Sequence, residues 1–311
     1  MEKTQPIQFD IVILTDQRYD QPQKLTPYIE NVLKEDDLIQ TALEALGYKV
    51  WRTHWDQPTF DWSTTQSVLF RTTWDYFNRF EEFFAWLNQV KTQTQLINTF
   101  DLLHWNIDKH YLKDLSEKGI RIVPTYFIET GSSESLADLI AQTKWQDVIL
   151  KPAVSGTARH TYKIQSEQIS AHESIFRQLI AKESMLIQPF LKNITTKGEV
   201  ALVLFGGKFS HAILKKAKDG DFRVQDDFGG SVSDYEASPE EIEFAEKTIA
   251  ACPTLPIYAR VDVIWNDDNA LCVSEVECIE PELWMRKCAD APKLFAKSLQ
   301  EITKLEPLKL V

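Results

Sequence analysis

A chain of 311 residues with 43% hydrophobic and 26% charged content has the makeup of an ordinary soluble protein, long enough for two or three compact subdomains. Its formal charge of −12 argues against nucleic-acid or anionic-membrane partners, which need clustered Lys and Arg, while leaving room for a local basic pocket around a nucleotide. No stretch approaches the ~20 apolar residues of a membrane span, and the opening MetGluLysThrGlnProIleGln has neither an apolar nor a basic targeting signature, so a cytoplasmic location is the expectation.

In chain order, residues 9–15 predict a strand, 36–46 a helix closed by Gly47, and 48–53 a second strand. A strand at 68–71, a Phe- and Trp-rich helix over about 79–91 and a strand near 95–98 complete a small α/β unit with a parallel sheet. Beyond residue 100 the pattern becomes α+β. A helix over 105–118 ends at Gly119, and strands near 123–129, 147–151, 160–164 and 184–189 are interspersed with helices 134–142 and 170–180. Two long strands, 198–205 and 208–215, follow around the Gly206-Gly207 turn. Then come a loop over 219–231, a helix over 238–251, a hairpin and a closing helix at 290–302. Cys252, Cys272, Cys278 and Cys288 lack C-x-x-C spacing and sit in apolar or strand contexts, which makes them reduced packing residues.

The hairpin carries the most informative chemistry. Residues 257–265 and 270–279 flank the turn-forming Asn266-Asp267-Asp268-Asn269. Alternation puts Arg260, Asp262 and Ile264 on one face, and Glu275 with Glu277 on one face of the partner strand. A turn centred between Asp267 and Asp268 pairs Asp262 with Val273, whereas a register two residues longer pairs it with Glu275; either gathers three carboxylates. So much negative charge is relieved by a divalent cation such as Mg²⁺ bound together with nucleotide phosphates. A solvated acidic face is the alternative reading of the hairpin alone.

Two lysines form a second constellation. Lys109 lies in the helix predicted over 105–118, and Lys151 ends the apolar strand ValIleLeuLysPro before the Ser155-Gly156-Thr157-Ala158 loop, from where it can reach phosphate oxygens. The segment Gln188-Pro189-Phe190-Leu191 ends a strand in a hinge able to offer backbone groups and an apolar face to a flat heterocycle, although a buried strand end has the same pattern.

The order LysHisTyrLeu, ValIleLeuLysPro, IleGlnProPheLeu, GlyGluVal, GlyAspPheArgValGlnAspAspPheGlyGly, ArgValAspVal and GluValGluCysIleGluPro resembles the ATP-grasp superfamily of carboxylate-amine ligases over nearly the whole chain. ArgThrThrTrpAspTyr at 71–76, with TrpAsnIleAspLys and HisAlaIleLeuLys, is similar to the glutathione-synthetase-like branch that includes the cycloserine-forming O-ureido-serine cyclo-ligase. The resemblance implies an α/β (α+β) ATP-grasp fold in which an N-terminal parallel-sheet subdomain (1–100) supplies substrate contacts. A central lid (101–190) and a C-terminal metal- and phosphate-binding subdomain (191–311) would clasp ATP. It further implies that Lys109, Lys151, Ser155 and Gly156 meet phosphates, that Gln188, Pro189, Phe190 and Leu191 meet adenine, and that Glu199 falls near the ribose. Asp262, Glu275 and Glu277 would hold two Mg²⁺ ions, for which Mn²⁺ could substitute. Arg223 with the Gly229-Gly230 backbone would face the transferred phosphate and the acyl group. Two departures stand out: Glu277 occupies a position that is asparagine in many relatives, and the lid loop 154–159 has one glycine, so that Ser155, Thr157 and Arg159 are expected to replace backbone contacts.

The implied reaction phosphorylates a small carboxylate and passes the acyl group to a nitrogen nucleophile, in another molecule or in the same one. Strand-end residues Asp16, Trp74 and Asp75, with Arg71 and Arg286, are the candidates for holding substrate ammonium and carboxylate groups; Trp74 and Tyr76 could equally be core aromatics, and Asp75 a helix cap. His211 reads as a satisfied core histidine. A small-molecule kinase on the same scaffold and a nucleotide-binding regulatory module without turnover are the competing functions, and a homo-oligomer is compatible with each. The chain has no Walker A, G-x-G-x-x-G, H-E-x-x-H or G-x-S-x-G string.

Overall fold

The computed structural model describes residues 6–224 and 229–308. Its first unit is a parallel sheet in the order β2-β1-β3-β4, formed by β1 (Phe9–Thr15), β2 (Val50–His54), β3 (Thr65–Thr72) and β4 (Gln95–Ile97). The short α1 (Gln17–Asp20), then α2 (Pro27–Glu44) and α3 (Phe80–Val90), connect these strands. The helix expected from residue 36 starts at Pro27. Thr26 caps it by accepting from the Ile29 amide, and proline at the first turn gives up an amide that had no intrahelical partner anyway.

The helix expected over 105–118 is two helices, α4 (Phe100–Asn106) and α5 (Tyr111–Glu117). Between them the Asp108 carboxylate accepts from the His110 amide, and the Lys109 amide donates to the Ala153 carbonyl instead of continuing the ladder. A second sheet, antiparallel in the order β5-β8-β6-β7, comprises β5 (Tyr126–Ile128), β6 (Val148–Pro152), β7 (Tyr162–Ile164) and β8 (Met185–Pro189). Helices α6 (Leu136–Thr143) and α7 (Ile169–Ile180) cover it.

The third sheet follows the short α8 (Asn193–Thr196). Its order is β11-β10-β9-β12-β13, from β9 (Glu199–Phe205), β10 (Lys208–Lys216), β11 (Ser231–Tyr235), β12 (Tyr258–Trp265) and β13 (Leu271–Glu277). The β11 strand, which lies between the loop and the helix expected there and was not foreseen, has a largely exposed SerValSerAspTyr pattern that carries little apolar signal. Helices α9 (Pro239–Ala250), with a Ser238/Glu241 capping box, and α10 (Ala291–Thr303) complete the chain.

The cores show how the units are joined. The second sheet packs with α6 and α7 around its own cluster, including Phe176, Leu150 and Ile187. The first and third sheets share one: Ile11, Ile13 and Leu69 are buried with Ala201, Val203, Tyr258 and Phe295. Among the described residues no helix is long and apolar enough to cross a membrane.

Candidate active site

A cleft of about 270 Å³ opens where the three sheets meet. The β12–β13 hairpin forms its floor. Asp262 pairs directly with Glu275 and Arg260 with Glu277, while Val263 pairs with Val273, so the extra residue Ser274 makes a bulge. Of the two registers left open by the sequence, the longer one holds at the carboxylates; beyond the bulge, near the turn, the pairing lies between the two.

Each of these carboxylates already faces a cation. Asp262 accepts from Arg260 at 2.8 Å and from Lys215 at 2.9 Å, Glu275 from Lys109 at 3.0 Å, and Glu277 closely from Arg260. Burial alone would raise all three acids. For Asp262, Arg260 and Lys215 outweigh it and hold the carboxyl at about 2; for Glu275, Lys109 and Lys151 outweigh it. Glu277 is instead pushed up to about 7 by burial, with Glu275 and Asp262 adding to the effect, and Glu280 reaches about 8 by burial, with Glu277 and Glu275 adding. Arg260 is the cation that faces Glu277. Among the described residues no group of three or more His, Cys, Asp or Glu side chains is arranged to ligate a metal as it stands. The all-oxygen donor set and the surplus buried negative charge nonetheless match a hard dication, which would compete with the lysines and Arg260 for these carboxylates.

The predicted nucleotide residues come together. Lys109, Lys151, Ser155, Gly156, Gln188, Pro189, Phe190, Leu191, Glu199 and Arg223 all border the cleft. The buried Lys109 reaches the Ser155 carbonyl at 2.6 Å, tying the loop after β6 to the hairpin. Burial lowers the Lys151 pKa, with Lys109 acting in the same sense and Glu275 against it. In loop 154–159, with its single glycine, Thr157 and Ala158 take left-handed backbones with φ of 48° and 54°, a conformation disfavoured for residues with a Cβ. Gly156 packs against Phe77, with no room for a side chain. Arg159 turns away to Glu183 and the Val154 carbonyl, so it braces the loop rather than supplying a phosphate contact. Near the hinge, Leu191 is buried beside Val123, Ile194 and Ile264, and Phe190 stands edge-on to Phe222, 6.2 Å between ring centroids.

Other expected positions fall elsewhere. Arg223 reaches the cleft with its guanidinium on Asp221, whereas Gly229 and Gly230 do not border it; residues 225–228 between them lie outside the described residues. Of the substrate candidates, Trp74 alone lines the cleft. Asp16 caps α1 and binds Arg18; Asp75 accepts from Trp55 and Arg79 and makes no cap. Arg286 is held between Glu35 and Glu282. Arg71 is 1% exposed and donates to the Pro281 carbonyl. Strand-end position had suggested Asp16 and Asp75, and charge Arg71 and Arg286, as ligand contacts, but each of the four also engages other protein groups. Lys215, which bridges Glu199 at 2.5 Å and Asp262 at 2.9 Å, was missed, although the β9–β10 register sets it opposite Glu199.

A strap over residues 278–283 borders the hairpin floor. Its successive carbonyls each accept from a different side chain: Cys278 from Asn98, Ile279 from Tyr258, Glu280 from Trp74, Pro281 from Arg71, Glu282 from Arg260 and Leu283 from His211. Burial lowers the His211 pKa, keeping the ring neutral as an Nε2 donor at 2.7 Å from the Leu283 carbonyl, as expected of a satisfied core histidine. Because the unfolded chain takes up this proton first, stability tied to His211 is present above about pH 6.5 and is lost as pH falls through the depressed folded value. Thermal melts between pH 7.5 and 5.5 should therefore show a smaller loss of Tm for His211→Gln than for wild type; equal losses would discount the role.

Residues 109–287 match the RimK-like ATP-grasp domain, and residues 11–98 match the N-terminal domain of D-cycloserine synthetase DcsG. The chain belongs to the RimK-like ATP-grasp family. The cycloserine biosynthesis protein DcsG of Streptomyces lavendulae is 30% identical over 276 residues, covering 84% of this chain and 91% of that protein. A crystal structure of D-cycloserine synthetase DcsG superposes with a TM-score of 0.83 at 26% identity, covering 95% of this chain and 99% of that one. A D-alanine–D-alanine ligase structure from Bacillus anthracis shares the fold, with a TM-score of 0.66 at 15% identity and coverage of 96% and 97%. This ATP-grasp protein is an ATP-dependent ligase that makes carbon–nitrogen bonds.

Proposed function

We propose that the enzyme activates the carboxylate of a small amino acid as an acylphosphate and closes it onto a nitrogen of the same molecule, as in cycloserine formation. The reading draws most support from the cleft itself, where Lys109, Lys151 and Arg223 border the carboxylate floor beside a wall set by the N-terminal sheet. Similarity to a cycloserine biosynthesis protein across both segments adds to it.

In this reading residues 1–100 form the substrate side, 101–190 the lid, and 191–311 the phosphate and metal side. Lys109 and Lys151 hold nucleotide phosphates, with Ser155 and Gly156 closing over them. Gln188–Leu191 receive adenine and Glu199 the ribose. Asp262, Glu275 and Glu277 would hold a pair of Mg²⁺ ions, with Mn²⁺ as a substitute, and the ions would supply positive charge to offset that of the transferred phosphoryl group. Arg223 stabilises the transferred phosphate and the oxyanion formed on nitrogen attack. Excluding water by lid closure keeps the acylphosphate for the intended nucleophile.

The test is ADP release with Mg²⁺ and hydroxylamine across a panel of amino acids and both enantiomers of O-ureido-serine. A hydroxamate from one member identifies the activated carboxylate. ADP release without hydroxamate from any of them would replace the ligase reading with a kinase.

A further inference from the structure

Charge in the cleft is segregated. Lys109, Lys151 and Lys215 gather around the carboxylate floor, whereas the strap side presents Glu280 and Glu282 among Trp74, Tyr76 and Tyr28. Glu282 is paired with Arg286. Glu280 forms no ion pair among the described residues; its side chain has a hydrogen bond from Tyr76, itself 5% exposed, and Trp74 holds its backbone carbonyl at 2.9 Å. The neighbouring carbonyls are pinned as well, to Tyr258 and Arg71, so the carboxylate is presented from a segment with little freedom to turn away. Two of the surrounding rings pack on each other, Tyr28 against Trp74 at 6.4 Å between centroids, and aromatic faces favour a neighbouring cation.

We infer that Glu280 is the specificity residue for a substrate α-ammonium group, with the substrate carboxylate pointing from there towards the lysines. This deepens the ligase reading and rests on it. A zwitterionic amino acid satisfies both ends of such a cleft at once: its ammonium meets Glu280 beside the aromatic rings, and its carboxylate lies in the cationic region where phosphate is delivered. A simple carboxylate satisfies only the second end and leaves Glu280 without its partner. This places the discrimination between amino acids and their deaminated counterparts on one side chain, which sequence reasoning passed over as part of the GluCysIleGluPro string.

The experiment pairs O-ureido-serine and common α-amino acids with their deaminated analogues. Wild type, Glu280→Gln and Glu280→Asp are compared by calorimetry in Mg²⁺·AMPPNP and by hydroxamate formation with ATP. Wild type is expected to favour the α-amino member of a pair by roughly 10²-fold, since a buried polar group left unpaired penalises the analogue. Glu280→Gln, which retains a hydrogen bond with Tyr76, should lose most of that preference through a raised KM, and Glu280→Asp should recover part of it. AMPPNP affinity and the Mg²⁺ dependence should stay within about 3-fold of wild type, a spread of roughly 0.7 kcal/mol. An equal response to both members of every pair in wild type, or a preference that survives in Glu280→Gln, would overturn the assignment while leaving the ligase reading intact. A shifted Mg²⁺ requirement in Glu280→Gln would overturn it in favour of a metal role. Hydroxamate from no carboxylate, with AMPPNP still bound, would remove the ligase reading and this inference with it.

Discussion

Replacing Glu275 with alanine is expected to lower ATP turnover by at least about 10²-fold while leaving the fold intact. Glu275 sits opposite Asp262 on the hairpin and receives Lys109 at 3.0 Å, so it joins the carboxylate floor to the lysine that also holds the loop after β6 through the Ser155 carbonyl. Deleting it removes a proposed metal donor and frees Lys109 from its carboxylate partner. Both changes misplace charge at the transferred phosphate. Lys109 keeps its contact to Ser155, and Val276 keeps its amide bond to the Tyr111 hydroxyl, so the damage to stability should be modest. ADP release measured over a range of Mg²⁺ concentrations checks this. Wild-type turnover in a folded Glu275→Ala protein would remove Glu275 from the metal assignment.

A loss of stability of roughly 3–5 kcal/mol is the expected result for Arg260→Met. The Arg260 side chain is 9% exposed and binds both oxygens of Asp262 and the Glu277 carboxylate, besides donating to the Glu282 carbonyl. Methionine fills much of the volume but leaves Glu277 without this partner and Asp262 with Lys215 alone. Most of the loss comes from buried charge left uncompensated, and less from the missing contacts themselves. Urea titration gives the size of the effect. Mg²⁺·AMPPNP should restore part of the loss by binding only the folded state. A midpoint shift equivalent to less than about 1 kcal/mol would mean that solvent or Lys215 already compensates these acids.

What could be read from the residues divides along the distance between partners. Strand alternation located Asp262, Glu275 and Glu277 together, since the hairpin is a local structure with a period of two. Its bulge at Ser274 was invisible because one extra residue leaves no trace in an apolar pattern. Lys109 and Lys151, which border the cleft, stood out through their place in an ordered series of motifs. The surroundings of Arg71 and Arg286 were hidden for another reason: their partners lie 210 and 251 residues away, and no window on the chain contains both ends. Lys215 shows the intermediate case. It is in phase with Ile213 on β10, a signal for facing inward, but a buried lysine makes sense only once Glu199 and Asp262 are known to lie against it.

The division of apolar packing bears on how such enzymes could be recombined. The second sheet buries its own cluster, so its interior comes from residues 126–187 alone and an exchange of that stretch between relatives would carry a complete core with it. The N-terminal stretch has no such independence. Ile11, Ile13 and Leu69 are buried together with Val203, Tyr258 and Phe295, and the strap is fastened by Asn98, Arg71 and Trp74 from one side and Tyr258, Arg260 and His211 from the other. A graft of the first hundred residues alone would break both sets of contacts. An exchange that keeps the N-terminal stretch, the strap and the third sheet together would leave both sets intact.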